Sequence, residues 1–294
     1  MSAAGAERPA EDVAEVLRHG ELEITGRLVE ASNATLLCTA SLDGVSTPCV
    51  YKPVRGERPL WDFPDGTLAG REVASYLISE ATGWGVVPTT VLRSGPLGEG
   101  MVQRWVDTAA ATISDVDDRD DGAGHGVTVV EEEQDGDDLI VLCPPREVPA
   151  GYRTVLRAQD WSGESVVLAH ADDARLRRMA VLDVVLNNAD RKGGHVLAAL
   201  DGAVHGVDHG ICLHAQHKLR TVLWGWAGED VGDEAVDVLS RVAAELHGDL
   251  GEALHEHLTV REVAAVGRRL RTLLGDRELP APRGESPAIP WPAF

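Results

Sequence analysis

The sequence predicts an α+β chain in two lobes, a small β-rich one around a single helix followed by a larger, mostly helical one. Three observations carry this. Short runs rich in β-branched and apolar residues crowd the first third. An acidic, glycine-rich stretch at 115–138 breaks the composition, and the second half repeats apolar residues at three- and four-residue spacings. The chain then divides into an N-terminal segment (1–20), a first lobe (21–107), an acidic linker or insertion (108–150), a second lobe (151–279) and a proline-rich tail (280–294).

Taken in order, residues 22–29 and 35–40 read as strands separated by the polar break Glu30-Ala31-Ser32-Asn33. Residues 48–52 read as a third, stopped by Pro53. Over 68–82, Val73, Tyr76, Leu77 and Ala81 fall at helical spacing, and Gly83-Trp84-Gly85 ends the helix. Residues 86–92 and 100–106 read as two more strands joined by a Gly/Pro turn. The acidic stretch reads as a solvated loop with one β-like patch at 127–130. Residues 173–187 predict a helix whose centre is apolar except for Asp183, hence buried on several sides. Residues 233–247 and 260–274 read as amphipathic helices, and the tail as an extended strap over the surface.

Composition narrows the partners. The 294 residues carry 48 acidic against 27 basic side chains, a net charge of −21. That excess argues against a nucleic acid or an anionic membrane, both of which need a basic face. No apolar run approaches the roughly 18 residues of a membrane span. Acidic residues stand near the N-terminus where a signal peptide has an apolar stretch, so a cytoplasmic location is expected. Cys38, Cys49, Cys143 and Cys212 form no C-x-x-C pair and read as free thiols.

The chemistry concentrates between Asn187 and Gly210. Asn187-Asn188-Ala189-Asp190-Arg191-Lys192-Gly193-Gly194-His195 leads into an apolar run, then Asp201-Gly202, then a second run ending at Asp208-His209-Gly210. Asp-Gly between β-like runs signals a two-residue type I′ hairpin. That register pairs Leu200 with Ala203, Leu197 with Gly206, Ala198 with His205 and His195 with Asp208, bringing an imidazole and a carboxylate together at the open end. Asp190 lies on the loop just before. One carboxylate there suits proton acceptance and the other a divalent cation. Gly193, Gly194 and Gly210 permit tight turns and close approach of a ligand. In the first half, Lys52 ends an apolar strand and Glu72 stands early in the predicted helix.

The order strand Lys, helix Glu, loop Asp, hairpin, Asp-x-Gly resembles the protein-kinase-like arrangement. The phrases Val50-Tyr51-Lys52-Pro53, Pro59-Leu60-Trp61-Asp62-Phe63-Pro64, the 187–195 loop and the 219–226 segment are similar to an actinobacterial phosphoinositide 3-/4-kinase-like family of uncharacterised proteins. The resemblance implies a two-lobed kinase-like fold binding ATP with Mg²⁺, or Mn²⁺, and phosphorylating a protein or small-molecule hydroxyl. By the same resemblance Lys52 contacts the α/β-phosphates and pairs with Glu72, Asp190 accepts the hydroxyl proton, and Lys192 meets the transferred phosphate. Asp208 holds the metal, with His195 at the second metal position. Ser32 and Asn33 form the phosphate-covering break, though without a G-x-G-x-x-G pattern, and Gln103 to Val106, Trp105 included, act as the adenine hinge. Kinases keep Asn where this chain has His195, and Mg²⁺ prefers oxygen over imidazole.

Two other readings stand beside this one. A nucleotide-binding pseudokinase with a regulatory role would use the same residues without turnover. A metal-dependent hydrolase would draw on His195, His205, His209, His214 and His217. Two basic residues, Lys218 and Arg220, beside Trp224 and Trp226 are thin support for a phosphoinositide headgroup, so lipid kinase activity is not expected.

Overall fold

The computed structural model describes residues 10–28, 34–109, 138–159, 161–284 and 287–294. Ser32 and Asn33 lie outside the described residues, as does the expected β-like patch at 127–130. The chain is α+β, β-rich first and mostly helical later.

Helix α1 (Ala10–His19) and strands β1 (Glu21–Arg27), β2 (Leu36–Leu42) and β3 (Val45–Pro53) come first. They are followed by α2 (Leu68–Thr82), β4 (Thr90–Gly95) and β5 (Gly98–Arg104). The five strands form one antiparallel sheet in the order β1-β2-β3-β5-β4. Strand β3 alternates, burying Cys49 and Tyr51 in a small core with Leu36, Val102 and the α1 residues Val16 and Leu17. Lys52 therefore points from the opposite face, toward α2. Helix α1 was not anticipated, although Val13, Val16 and Leu17 have the spacing of one helical face.

Helix α2 occupies the span predicted for it. The Thr67 side chain accepts the Gly70 N–H, the Glu57 carboxylate accepts those of Leu68 and Ala69, and Gly83 ends the helix at φ 70°. Ala69 and Val73 pack on Met101 of the sheet, whereas Ala74 and Ile78 belong to the main core of the second half. The helix is thus a wedge between two cores. Strand β4 begins later than the predicted 86–92 because Pro88 lacks a donor and Val86 and Val87 turn into the main core.

The second half opens on a sheet, not on helices. Strands β6 (Ile140–Cys143), β7 (Tyr152–Gln159) and β8 (Ser165–Ala171) pair antiparallel in the order β6-β8-β7, so part of the expected 108–150 linker is ordered strand. Then come α3 (Ala174–Leu186), the hairpin β9 (Val196–Ala198) and β10 (Val204–Gly206), and helices α4 (Asp233–Glu245), α5 (Asp249–His255) and α6 (Val260–Asp276). Asp173 caps α3 and Asn187 ends it at φ 53°. His255 ends α5. Among the described residues no helix is long and apolar enough to cross a membrane.

The hairpin register differs from the one predicted. The pairs are Val204 with Ala198, His205 with Leu197 and Gly206 with Val196, a slip of one residue. The turn is a three-residue loop: Gly202 donates to the Ala199 carbonyl and takes φ 85°, and Ala199 donates to the Ala203 carbonyl. The Asp201 carboxylate accepts the Ala203 N–H, and Leu200 donates away to Asp107, which favours this loop over the two-residue turn. His195 accordingly sits opposite Val207, not Asp208.

The tail crosses the second half as a strap. The Ala288 carbonyl accepts the Thr221 N–H and the Trp224 indole N–H, and the Ala293 carbonyl accepts the Gly193 N–H at 2.7 Å. The Phe294 ring lies so close over Gly193 that a Cβ there would come within 2.3 Å of it. Trp226 is fully buried, its indole N–H on Asp172.

Candidate functional site

The first group joins the two halves of the chain. The Lys52 ammonium donates to Glu72 Oε1 and to Asp208 Oδ1, each at 2.8 Å. The second Glu72 oxygen accepts the His209 N–H at 2.9 Å, so the helix carboxylate is satisfied on both sides. Burial draws the Lys52 pKa down, but the Asp208 and Glu72 carboxylates outweigh it and hold the ammonium above its ordinary value. The same ammonium keeps Asp208 well below the usual carboxylate range, whereas burial lifts Glu72 above it against the pull of Lys52. Asp208 reaches this position through left-handed backbone, φ 60°, at the end of the hairpin.

The second group lies on the loop after α3. Asp190 has its N–H on the Asn188 side chain, and its carboxylate stands 3.5 Å from the Lys192 ammonium. Its pKa is raised by burial, with Lys192 opposing and Asp208 adding to the rise. His195 Nδ1 contacts the Asp190 carbonyl at 2.9 Å, so Nδ1 carries the proton and Nε2 a lone pair, 3.5 Å from Asp208 Oδ2. The imidazole is neutral near pH 7, because burial pushes its pKa down to about 4 against the attraction of Asp208. Although the register slipped, the 3-10 turn at Gly193–His195 and the left-handed Asp208 restore the contact.

Behind both groups stands a buried cation that the sequence reading did not single out. Arg191 is fully buried and pairs with the equally buried Asp183 through Nε and Nη2 at 3.0 and 2.9 Å. It also donates to the carbonyls of His195 and Val207 and contacts His209 Nε2 at 2.6 Å. Gly206 is required here, since a Cβ would lie 2.8 Å from the guanidinium. Asn187 holds the following segment, donating to the His214 and Gln216 carbonyls and accepting the Lys218 N–H. The one carboxylate in an apolar helix was the available signal for Asp183, because such a group must find a buried partner.

Lys52, Glu72, Asp190, Lys192, His195 and Asp208 are thus brought together; Gln103 and Trp105 are not. The Gln103 side chain is buried against Thr90, donating to its hydroxyl at 2.8 Å. The Arg104 and Trp105 N–H groups are committed to the Thr89 and Pro48 carbonyls, so two of the backbone donors expected to meet adenine are already used. The histidines disperse: His205 bonds Gly85, His214 meets Phe63 edge to face, and His209 is buried on Arg191. Among the described residues no three His, Cys, Asp or Glu side chains gather as a metal cage. A cation sharing Asp208 and His195 nevertheless fits the donor set, since Nε2 and Oδ2 face each other 3.5 Å apart as two lone-pair atoms.

This protonation pattern sets an acid limit. His170, His195, His205, His209 and His214 all have lowered pKa values, chiefly through burial. The unfolded chain binds more protons there, so their contribution is present above the ordinary imidazole pKa of about 6.5 and is lost as pH falls below it. Asp190 and Glu72, raised by burial, act in the opposite sense but are outnumbered. The urea midpoint is expected to fall between pH 7 and pH 5; an unchanged midpoint would refute this protonation pattern.

No protein-family model matches the chain. It is similar to the crystal structure of a Helicobacter pylori proinflammatory kinase, CtkA, at 10% identity over 90% of this chain and 94% of that one, with a TM-score of 0.41. A likeness that remote carries neither fold nor activity across. Protein Rv2133c of Mycobacterium tuberculosis (strain ATCC 25618 / H37Rv) is 51% identical over 279 residues, 95% of this chain and 94% of its own, and the chain belongs to that protein's family.

Proposed function

We propose that the chain is a kinase-like phosphotransferase that binds ATP with a divalent cation between its two halves and passes the γ-phosphoryl group to a protein or small-molecule hydroxyl. The observation that carries this is Lys52, held at 2.8 Å by a helix carboxylate and by the Asp of Asp-x-Gly. An ammonium so placed meets phosphate oxygens, and Glu72 orients it. Asp190, its pKa raised, accepts the acceptor hydroxyl's proton while Lys192 faces the transferred group. Asp208 and His195 would hold the cation, Mg²⁺ or Mn²⁺, which when bound neutralises phosphate charge. The cavity beside Lys52 measures about 30 Å³, room for one water-sized group, so nucleotide entry requires its walls to part.

His195 favours a second reading, a nucleotide-binding regulator without turnover, because imidazole is a poor ligand for Mg²⁺. One experiment addresses the shared claim. ATP with Mg²⁺ or Mn²⁺ is expected to raise the melting point, since a ligand of the native state stabilises it. Lys52→Met is expected to weaken binding by about tenfold or more, the loss of one charged hydrogen-bond donor. No melting shift with either metal at millimolar ATP sinks both readings; binding without phosphate transfer selects the second.

A further inference from the structure

We propose a second ligand site, separate from Lys52, in a cavity of about 320 Å³ that takes a small anion, phosphate or carboxylate, carried on a flat apolar ring. The cavity lies where the far end of α2 meets the 85–89 segment, the tip half of the hairpin and α3. Glu72 and Asp208 sit at the other ends of α2 and the hairpin, so the two sites share walls but not residues.

Charge selects the anion. The chain has 48 acidic and 27 basic residues, yet this wall carries Arg104, Arg175 and Arg178 with Glu80 as its one acid. Arg175 is engaged by Asp173 and the Gly202 carbonyl, and Arg178 by Glu234. Those pairs are half-exposed and weak enough for an incoming anion to compete. Arg104 differs, because among the described residues its guanidinium has no hydrogen-bond acceptor and no carboxylate partner. Solvent can hydrate this half-buried guanidinium, and an anion that displaces the water would add charge-assisted hydrogen bonds. Its proximity, after burial itself, helps keep the buried His205 neutral.

Shape and polarity select the ring. Trp84, Val86, Pro88 and Val204 give the cavity apolar walls, and its volume suits a substituted aromatic molecule. Trp84 forms part of that wall, with its indole N–H buried away from solvent. Arg104 beside Trp84, Val86, Pro88 and Val204 therefore presents a cation next to an apolar wall, the pattern that an aryl phosphate or aryl carboxylate completes.

The test uses phenyl phosphate and phenylacetate as probes of the two anions, with inorganic phosphate and benzyl alcohol supplying each half alone. Binding is read from the Trp84 indole NMR signal, identified by its loss in Trp84→Phe. At least one aryl anion is expected to shift that signal saturably at millimolar concentration, and more tightly than either half-probe. Arg104→Met is expected to weaken it by about tenfold or more, whereas Arg104→Lys retains most of the affinity. No saturable shift with either aryl anion, or equal affinity in Arg104→Met, overturns the proposal. No nucleotide enters the experiment, so its outcome is independent of the reading of the Lys52 site.

Discussion

Asp183→Ala is expected to cost about 3–5 kcal/mol of folding stability, the usual loss when one partner of a buried ion pair is removed. Asp183 and Arg191 are both fully buried. The carboxylate also accepts from the Asn188 amide at 2.9 Å and the Thr221 hydroxyl at 3.3 Å, so three donors lose their acceptor at once. Arg191 cannot escape by deprotonating. Because total stability is typically about 5–15 kcal/mol, the variant should have a clearly lower urea midpoint at neutral pH. The double change Asp183→Leu with Arg191→Met is expected to recover much of the loss, since paired apolar groups carry no charge to desolvate. A loss under about 1 kcal/mol in Asp183→Ala would show that solvent reaches Arg191.

Asp190→Asn is expected to lower phosphate transfer by about 10²- to 10⁴-fold, the range that a positioned general base supplies. Nucleotide affinity should stay within about twofold, because Lys52, Glu72 and Asp208 contact one another without Asp190. The amide keeps the size of the carboxylate, and the backbone contacts of residue 190 with Asn188 and His195 do not involve its side chain. Comparing turnover with ATP affinity therefore separates proton acceptance from binding. Equal turnover in the variant would remove Asp190 from the chemistry, and a parallel loss of affinity would make its role electrostatic.

What the sequence made legible was local and periodic. Helix α2 falls on residues 68–82 as its spacing and glycine stop foretold, and α3 is closed by Asp173 and Asn187 at the ends read for it. The meeting of Lys52, Glu72 and Asp208 was legible only through the order of residues along the chain, because their proximity depends on three separate elements. The sheet at 140–171 escaped notice because β7 is mostly exposed and its arginines mask any apolar alternation. The hairpin register was missed by one residue because Asp201-Gly202 fits both a two-residue turn and a three-residue loop with Gly202 left-handed. Arg191 was invisible for another reason: its partner Asp183 is eight positions upstream on a helix, and nothing in the loop itself marks an arginine as buried.

The strap over the second half bears on the order in which a growing polypeptide becomes competent. Ribosomal synthesis delivers Asp190, His195 and Asp208 long before Ala288 and Ala293, whose carbonyls fasten Thr221 and Gly193. A nascent chain carries these side chains while the loop that bears them still lacks the Ala288 and Ala293 fastenings. Proteolytic trimming of the strap would return a finished molecule to that earlier condition without touching a single charged group among them.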